Sequence, residues 1–287
     1  MDLAHCRQLA DAVRHLATHD GDFEQFGART HGYVYATPLT VERLHEIERA
    51  HGVSLPGDYA AFVTTVGSAG AGPYYGLLPL DAPTQLASLA RDFPHTSAVP
   101  SPQDEASLAA FDSDATVDGT IALAHAGCTY FALLVVRGPA RGQVWFDFRS
   151  AGGGLDPTYD SFGDFYRDWL EKLTRGEVVE LRNDPKTCAL PKALSSWIGS
   201  WEKRNDIPAG TATPEQVDAA LRDIRDGGLA LRAASTDRYF LGGTPVDPCP
   251  SCKKLLQTLL ATHSLRPGQL VPGVRPRAAS EAFEGTA

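Results

Sequence analysis

Apolar residues recur at helical spacing from the start of the chain. Leu3, Cys6, Leu9, Ala10, Val13, Leu16 and Ala17 fall on one face, which predicts an amphipathic helix over 3–18 packed on the body of the protein. Thr40 stands as an N-cap before a second run, with Leu44 and Ile47 inward and Gly52 as its stop, so a helix is predicted over 41–51. A third helix begins within Leu55-Pro56-Gly57-Asp58-Tyr59 and runs through Ala61, Phe62 and Val63 to Gly67. The pattern then changes. Short apolar runs at 77–80 and 120–123, followed by 130–137 and 143–148, predict strands, and Gly138-Pro139-Ala140-Arg141-Gly142 joins the last two as a β-hairpin. Ser161 caps a helix over 162–175, whose Phe162, Phe165, Tyr166, Trp169 and Leu173 make an aromatic inner face. The acidic, Ser- and Pro-containing stretch 98–118 is expected to be an exposed loop with a short helix.

At 287 residues, with 43% hydrophobic and 21% charged residues, the chain is long enough for two ordinary cores. The expected division is residues 1–177, residues 178–266 and a disordered tail over 267–287, rich in Pro, Gly, Ala and Ser. No stretch approaches the ~20 apolar residues of a membrane span, and the N-terminus lacks a basic region followed by an apolar core, so a cytoplasmic protein is expected. Five cysteines, an odd number without disulfide-like spacing, agree with a reducing compartment. Charge is divided unevenly: residues 1–177 carry net −11 and residues 178–287 net +2. That balance disfavours direct binding to nucleic-acid phosphates and favours a cationic protein partner, with Asp112, Asp114 and Asp118 as candidate contacts. A negative surface can also serve solubility alone.

The most specific chemistry lies in Pro248-Cys249-Pro250-Ser251-Cys252, a P-C-x-x-C that opens an apolar helix. Two thiols three positions apart at a helix start can present both sulfurs to one tetrahedral ion, and the helix N-terminus favours their thiolate forms. This reads as half of a zinc site. Cys188, in Thr187-Cys188-Ala189-Leu190-Pro191, is the candidate third ligand. Two buried thiols or a redox pair would give the same C-x-x-C spacing. Cys6 and Cys128 are expected to be core or partly buried thiols, and Trp145 and Trp169 core rings. His125 is read as structural, and Gly152-Gly153-Gly154, with no Lys-Ser/Thr after it, as a flexible turn.

The Cys188-Ala189-Leu190-Pro191-Lys192-Ala193-Leu194 helix start followed by P-C-x-x-C resembles the zinc-dependent nucleobase deaminase fold, especially the deaminase domains of bacterial polymorphic toxins. The resemblance implies zinc on Cys188, Cys249 and Cys252 and places Leu190 where that family carries its proton-shuttling Glu. Leucine can neither take a proton from zinc-bound water nor deliver one to a leaving group, so a deaminase scaffold without catalysis is implied. The stretch 201–214 looks like an insertion.

A second resemblance covers residues 39–176. Gly52-Val53-Ser54-Leu55-Pro56-Gly57-Asp58-Tyr59, Gly76-Leu77-Leu78-Pro79-Leu80, Gly142-Gln143-Val144-Trp145-Phe146-Asp147 and Ser161-Phe162-Gly163-Asp164-Phe165-Tyr166-Arg167-Asp168-Trp169-Leu170 resemble the SUKH superfamily. Its bacterial members include immunity proteins that neutralise toxins, and its eukaryotic members are regulators. The resemblance implies an α+β domain, a sheet with packed helices, that acts by binding. The combined expectation is an α+β SUKH-like domain followed by a smaller α/β deaminase-like domain, together an antitoxin-like protein whose partner is a cationic toxin. An active deaminase using Glu180 or Glu202 as its general acid/base, or a regulatory scaffold without a toxin, are the alternatives.

Overall fold

The computed structural model describes residues 3–23, 25–80, 89–127, 130–149, 153–177, 189–226, 234–235, 244–245 and 255. The chain divides into two units, Met1–Leu181 with Pro276–Ala287, and Arg182–Arg275.

In the first unit, helix α1 (Leu3–His19) buries Cys6, Leu9, Ala10 and Val13, the face its spacing predicts. A short α2 (Ala28–His31) follows, and then α3 (Val41–His51), whose start and stop are both set by local chemistry. The Thr40 hydroxyl accepts the Arg43 N–H at 3.1 Å, and Gly52, at φ 62, donates its N–H to the Glu48 and Arg49 carbonyls. Helix α4 (Gly57–Thr65) buries Tyr59, Phe62 and Val63. A seven-residue α5 (Glu105–Phe111) and a single 3-10 turn (Asp114–Val117) precede the sheet. Strands β1 (Thr120–Gly127), β2 (Tyr130–Val135), β3 (Val144–Asp147) and β4 (Leu155–Tyr159) form an antiparallel meander in chain order, and α6 (Phe162–Thr174) closes the unit.

Helices α1, α4 and α6 pack on one another over one face of the sheet. Phe62 lies 5.1 Å from the Phe162 ring and 4.8 Å from Tyr166, all three essentially inaccessible. Burial of each such ring stabilises the fold by roughly 1.5–3 kcal/mol. The Tyr166 hydroxyl donates to the Ala71 carbonyl at 2.9 Å, so the Tyr35 hydroxyl, 2.7 Å away, is the donor to Tyr166. That pair ties the N-terminal segment to α6. Asp58 on α4 accepts the Gly163 N–H at 2.8 Å, satisfying a donor in the first turn of α6 that has no partner within the helix.

The strands show why period-2 alternation is weak in this sequence: β1, β2 and β3 are buried at every position. Ala132, Leu134, Val144 and Phe146 join the helix-side core. On the opposite face Trp145 meets Phe93 at 4.9 Å, and Phe111 is tied by its carbonyl to Arg149. The sheet is lengthened at both edges by single bridges, Val99 to Leu155 at one and Ala124 to Leu77 to Gly70 to Tyr35 at the other.

Several expectations are corrected. The run 77–80 contributes two isolated bridges, both at Leu77, rather than a strand, and 120–123 extends through Ala124, His125 and Ala126 to Gly127. β4 was not predicted, because Pro157 and Asp156 are poor strand formers; both fit an edge strand, where a missing ladder N–H costs little. The stretch 98–118 is mostly exposed and carries the short helix α5, as expected, but it is anchored by Phe111, Thr116 and Val117, which are buried.

In the second unit α7 (Ala189–Arg204) and α8 (Pro214–Asp226) make a helical hairpin. Trp197 Nε1 donates to the Ala220 carbonyl at 3.0 Å, and Arg204 lies 5.0 Å over the Trp197 ring and 3.3 Å from Asp223. Two-residue strands β5 (Ala234–Ser235) and β6 (Thr244–Pro245) pair antiparallel. Among the described residues no helix is long and apolar enough to cross a membrane.

Candidate partner-binding surface

Between residues 104 and 118 the chain carries Asp104, Glu105, Asp112, Asp114 and Asp118 and no Lys or Arg. Asp104 accepts the Ser107 N–H at 2.9 Å as the N-cap of α5, which draws its carboxyl below the usual carboxylate range. What fastens this segment to the sheet is Arg149. Its Nε and Nη2 donate to the two carboxylate oxygens of Asp147 at 2.9 and 2.8 Å, and its Nη1 donates to the Phe111 and Ser113 carbonyls at 2.7 and 3.0 Å. The guanidinium also lies 5.8 Å from the centre of the Phe111 ring. Both members of the pair are nearly inaccessible, at 4% and 8% side-chain exposure. The planar fork is thus used on three sides, which a lysine ammonium could not reproduce. A second tie comes from His95, whose Nε2 lies 3.1 Å from the Thr116 carbonyl; burial lowers its basicity.

The three acidic candidates do not converge. Asp112 and Asp114 are exposed, beside the carbonyls that Arg149 holds near the Gly127–Tyr130 end of the β1–β2 pair. Asp118 lies just before Thr120, at the other end of β1, is only 14% exposed, and is 3.3 Å from Arg91. A parallel tie links Arg137 to Asp92 at 2.6 Å on the same margin. Asp118 therefore helps to seat the segment, and Asp112 and Asp114 supply its outward negative charge.

Cys188, Cys249 and Cys252 lie outside the described residues, as do Cys128 and Glu180. Among the described residues no group of His, Cys, Asp and Glu is arranged to hold a metal ion. Cys6 is buried on the inner face of α1, as expected of a core thiol. Glu202 is described, and its carboxylate serves the fold by accepting the Gly210 and Ala212 N–H groups at 2.9 and 3.0 Å, which clasps the α7–α8 connection. Those bonds hold its carboxyl below the ordinary range, which opposes use as a general acid. The stretch 201–214 is thus the end of α7 and an ordered turn.

Sequence reasoning missed Arg149 altogether. The only local signal was Asp147-x-Arg149, two residues apart at a strand end, and nothing in that spacing announces the backbone carbonyls 36 and 38 positions earlier.

Residues 38–168 match the SMI1 / KNR4 family (SUKH-1). The matched span runs from the residues before α3 to Asp168 in α6, so the SUKH resemblance holds there. Comparison with curated proteins gave no match to the chain.

Proposed function

We propose that this chain is a toxin-neutralising immunity protein that acts in the cytoplasm by binding a cationic toxin protein through its first unit. The observation that carries the reading is the SUKH-1 match over residues 38–168, on a fold whose buried side chains serve packing and segment anchoring. The cationic character of the partner is supported by the net −11 of residues 1–177 and by the segment bearing Asp112 and Asp114. Toxins that act on nucleic acid need basic surfaces, and an acidic surface meets them without competing for the phosphates. Coexpression with the toxin domain encoded beside this chain tests it: the full chain should restore growth and co-purify with the toxin. Protection by residues 178–287 alone would assign binding to the other unit.

For the remainder we propose a catalytically degenerate deaminase-like domain over residues 178–266 and a tail over 267–287. In this reading Cys188, Cys249 and Cys252 hold one structural zinc, supported by their residue types and the P-C-x-x-C spacing. Leu190 in the Glu position and the occupied carboxylate of Glu202 both favour a domain without turnover. Purified protein should carry about one zinc per chain, and Cys249→Ser should release it and lower the stability of the second unit. Metal-free, fully folded wild-type protein by elemental analysis refutes the zinc site.

A further inference from the structure

Three unusual features gather in the connection between α1 and α2, and a fourth stands at Tyr33 just after α2. Phe23 sits at φ 53, a left-handed conformation that a bulky L-residue rarely adopts, and the residue is 36% exposed. Tyr33, on which that ring stacks at 6.2 Å and 25°, is itself at φ 58. Gln25 Oε1 is buried with no hydrogen-bond partner, and no other side-chain atom among the described residues is in that state. At Gly27, φ 82, a Cβ would stand 1.5 Å from the Tyr74 carbonyl oxygen. Strain and an unpaired buried acceptor persist only where the surroundings over-determine them, and they gather at binding and catalytic loops.

The surroundings do over-determine this loop. Asp20 accepts the Tyr33 hydroxyl at 2.7 Å and the Gln25 N–H at 3.3 Å, while the Phe23 N–H donates to the Asp20 carbonyl at 3.0 Å. Arg29 donates to the Asp22 carbonyl at 3.3 Å. The result is an aromatic ring held out in one orientation, flanked in the sequence by Asp20, Asp22 and Glu24. A rigid aromatic anchor with a charged rim is the usual form of an interface hot spot, because little freedom remains to be lost on binding.

The position of the loop fits the surface already described. Phe26 meets Tyr75 at 4.8 Å, Tyr75 stacks on His125 at 5.1 Å, and His125 lies 4.9 Å from Phe131. Phe131 pairs across the ladder with Asp147, the carboxylate that holds Arg149 beneath Asp112 and Asp114. The loop and the acidic segment are therefore linked by a chain of packed rings through the same end of the sheet.

We propose that Phe23 is the apolar anchor of the partner interface, entering a socket rimmed by Lys and Arg on a cationic toxin, with Asp22 facing that rim. This rests on the toxin-binding reading above. It also places an essential contact before residue 38, outside the SUKH-1 span. The competing role is internal: Phe23 as a staple on Tyr33.

Phe23→Gly separates the two, because glycine accepts the left-handed backbone while removing the ring. The full chain, Phe23→Gly and Asp22→Lys are titrated against the purified toxin domain encoded beside this chain, and their melting temperatures are compared. Phe23→Gly should weaken Kd by roughly 30-fold or more, chiefly through faster dissociation, with a melting temperature no lower than wild type. Asp22→Lys should mainly slow association. A Phe23→Gly chain that binds like wild type overturns the anchor, as does one that loses affinity only together with a lowered melting temperature. Wild-type chain that fails to bind the toxin domain overturns the toxin-binding reading, and the anchor with it.

Discussion

Arg149→Ala should cost the first unit about 3–5 kcal/mol of stability, the loss expected when one member of a buried, hydrogen-bonded ion pair is removed. The variant leaves Asp147 as a buried charge without its counter-ion and frees the Phe111 and Ser113 carbonyls at the same time. The damage should also be directional. The 105–117 segment is fastened chiefly through Arg149 and His95, so its amides should exchange first and fastest. Arg149→Lys should recover little, since one ammonium cannot meet a carboxylate and two carbonyls in the geometry of the fork. Urea unfolding with hydrogen exchange measures both effects. A loss under about 1 kcal/mol, or uniform exchange across the unit, would show that the segment is held by its apolar contacts instead.

The second large effect is a dependence on pH carried by His31. This ring is 9% exposed, packs 5.1 Å from Tyr33 and 6.0 Å from Trp169, and accepts the Tyr33 N–H at 3.0 Å through Nδ1. Burial pushes its pKa down from 6.5 to about 4, with the Asp20 carboxylate pulling weakly the other way. A depressed folded-state value means that the unfolded chain takes the proton first. The contribution of neutral His31 is therefore complete above pH 6.5 and is lost as pH falls to about 4, which amounts to about 3 kcal/mol. His31→Phe should be less stable at neutral pH, because the Tyr33 N–H loses its acceptor, yet its stability should fall less steeply between those two pH values. Parallel pH profiles for the two proteins would contradict the assignment.

Much of the helical framework was legible because its signals are local. Thr40 and Gly52 mark α3, Ser161 marks α6, and the spacing of Phe162, Phe165, Tyr166, Trp169 and Leu173 points one face inward whatever lies opposite. The sheet was legible only in part. Strands buried on both faces lack alternation, so β1 was cut short at its small residues, and β4 hid behind Asp156 and Pro157. The candidate surface was legible as composition and not as geometry. Five carboxylates without a cation identify the segment, but only the fold shows Asp118 joined to an arginine 27 positions away and Arg149 beneath the rest. Strain at Phe23 has no sequence signature, since φ is set by contacts with Asp20 and Tyr33. The zinc proposal stands on residue type and spacing alone, its three cysteines lying outside the described residues.

Binding of a cationic toxin to the first unit is tested most directly by the association rate between the full chain and the toxin domain encoded beside it, followed across ionic strength. The predicted result is a tight complex whose association slows by about tenfold or more as salt rises past the Debye regime, and slows likewise in Asp112→Lys/Asp114→Lys with dissociation little changed. No complex, or an association rate indifferent to both salt and charge reversal, would contradict it.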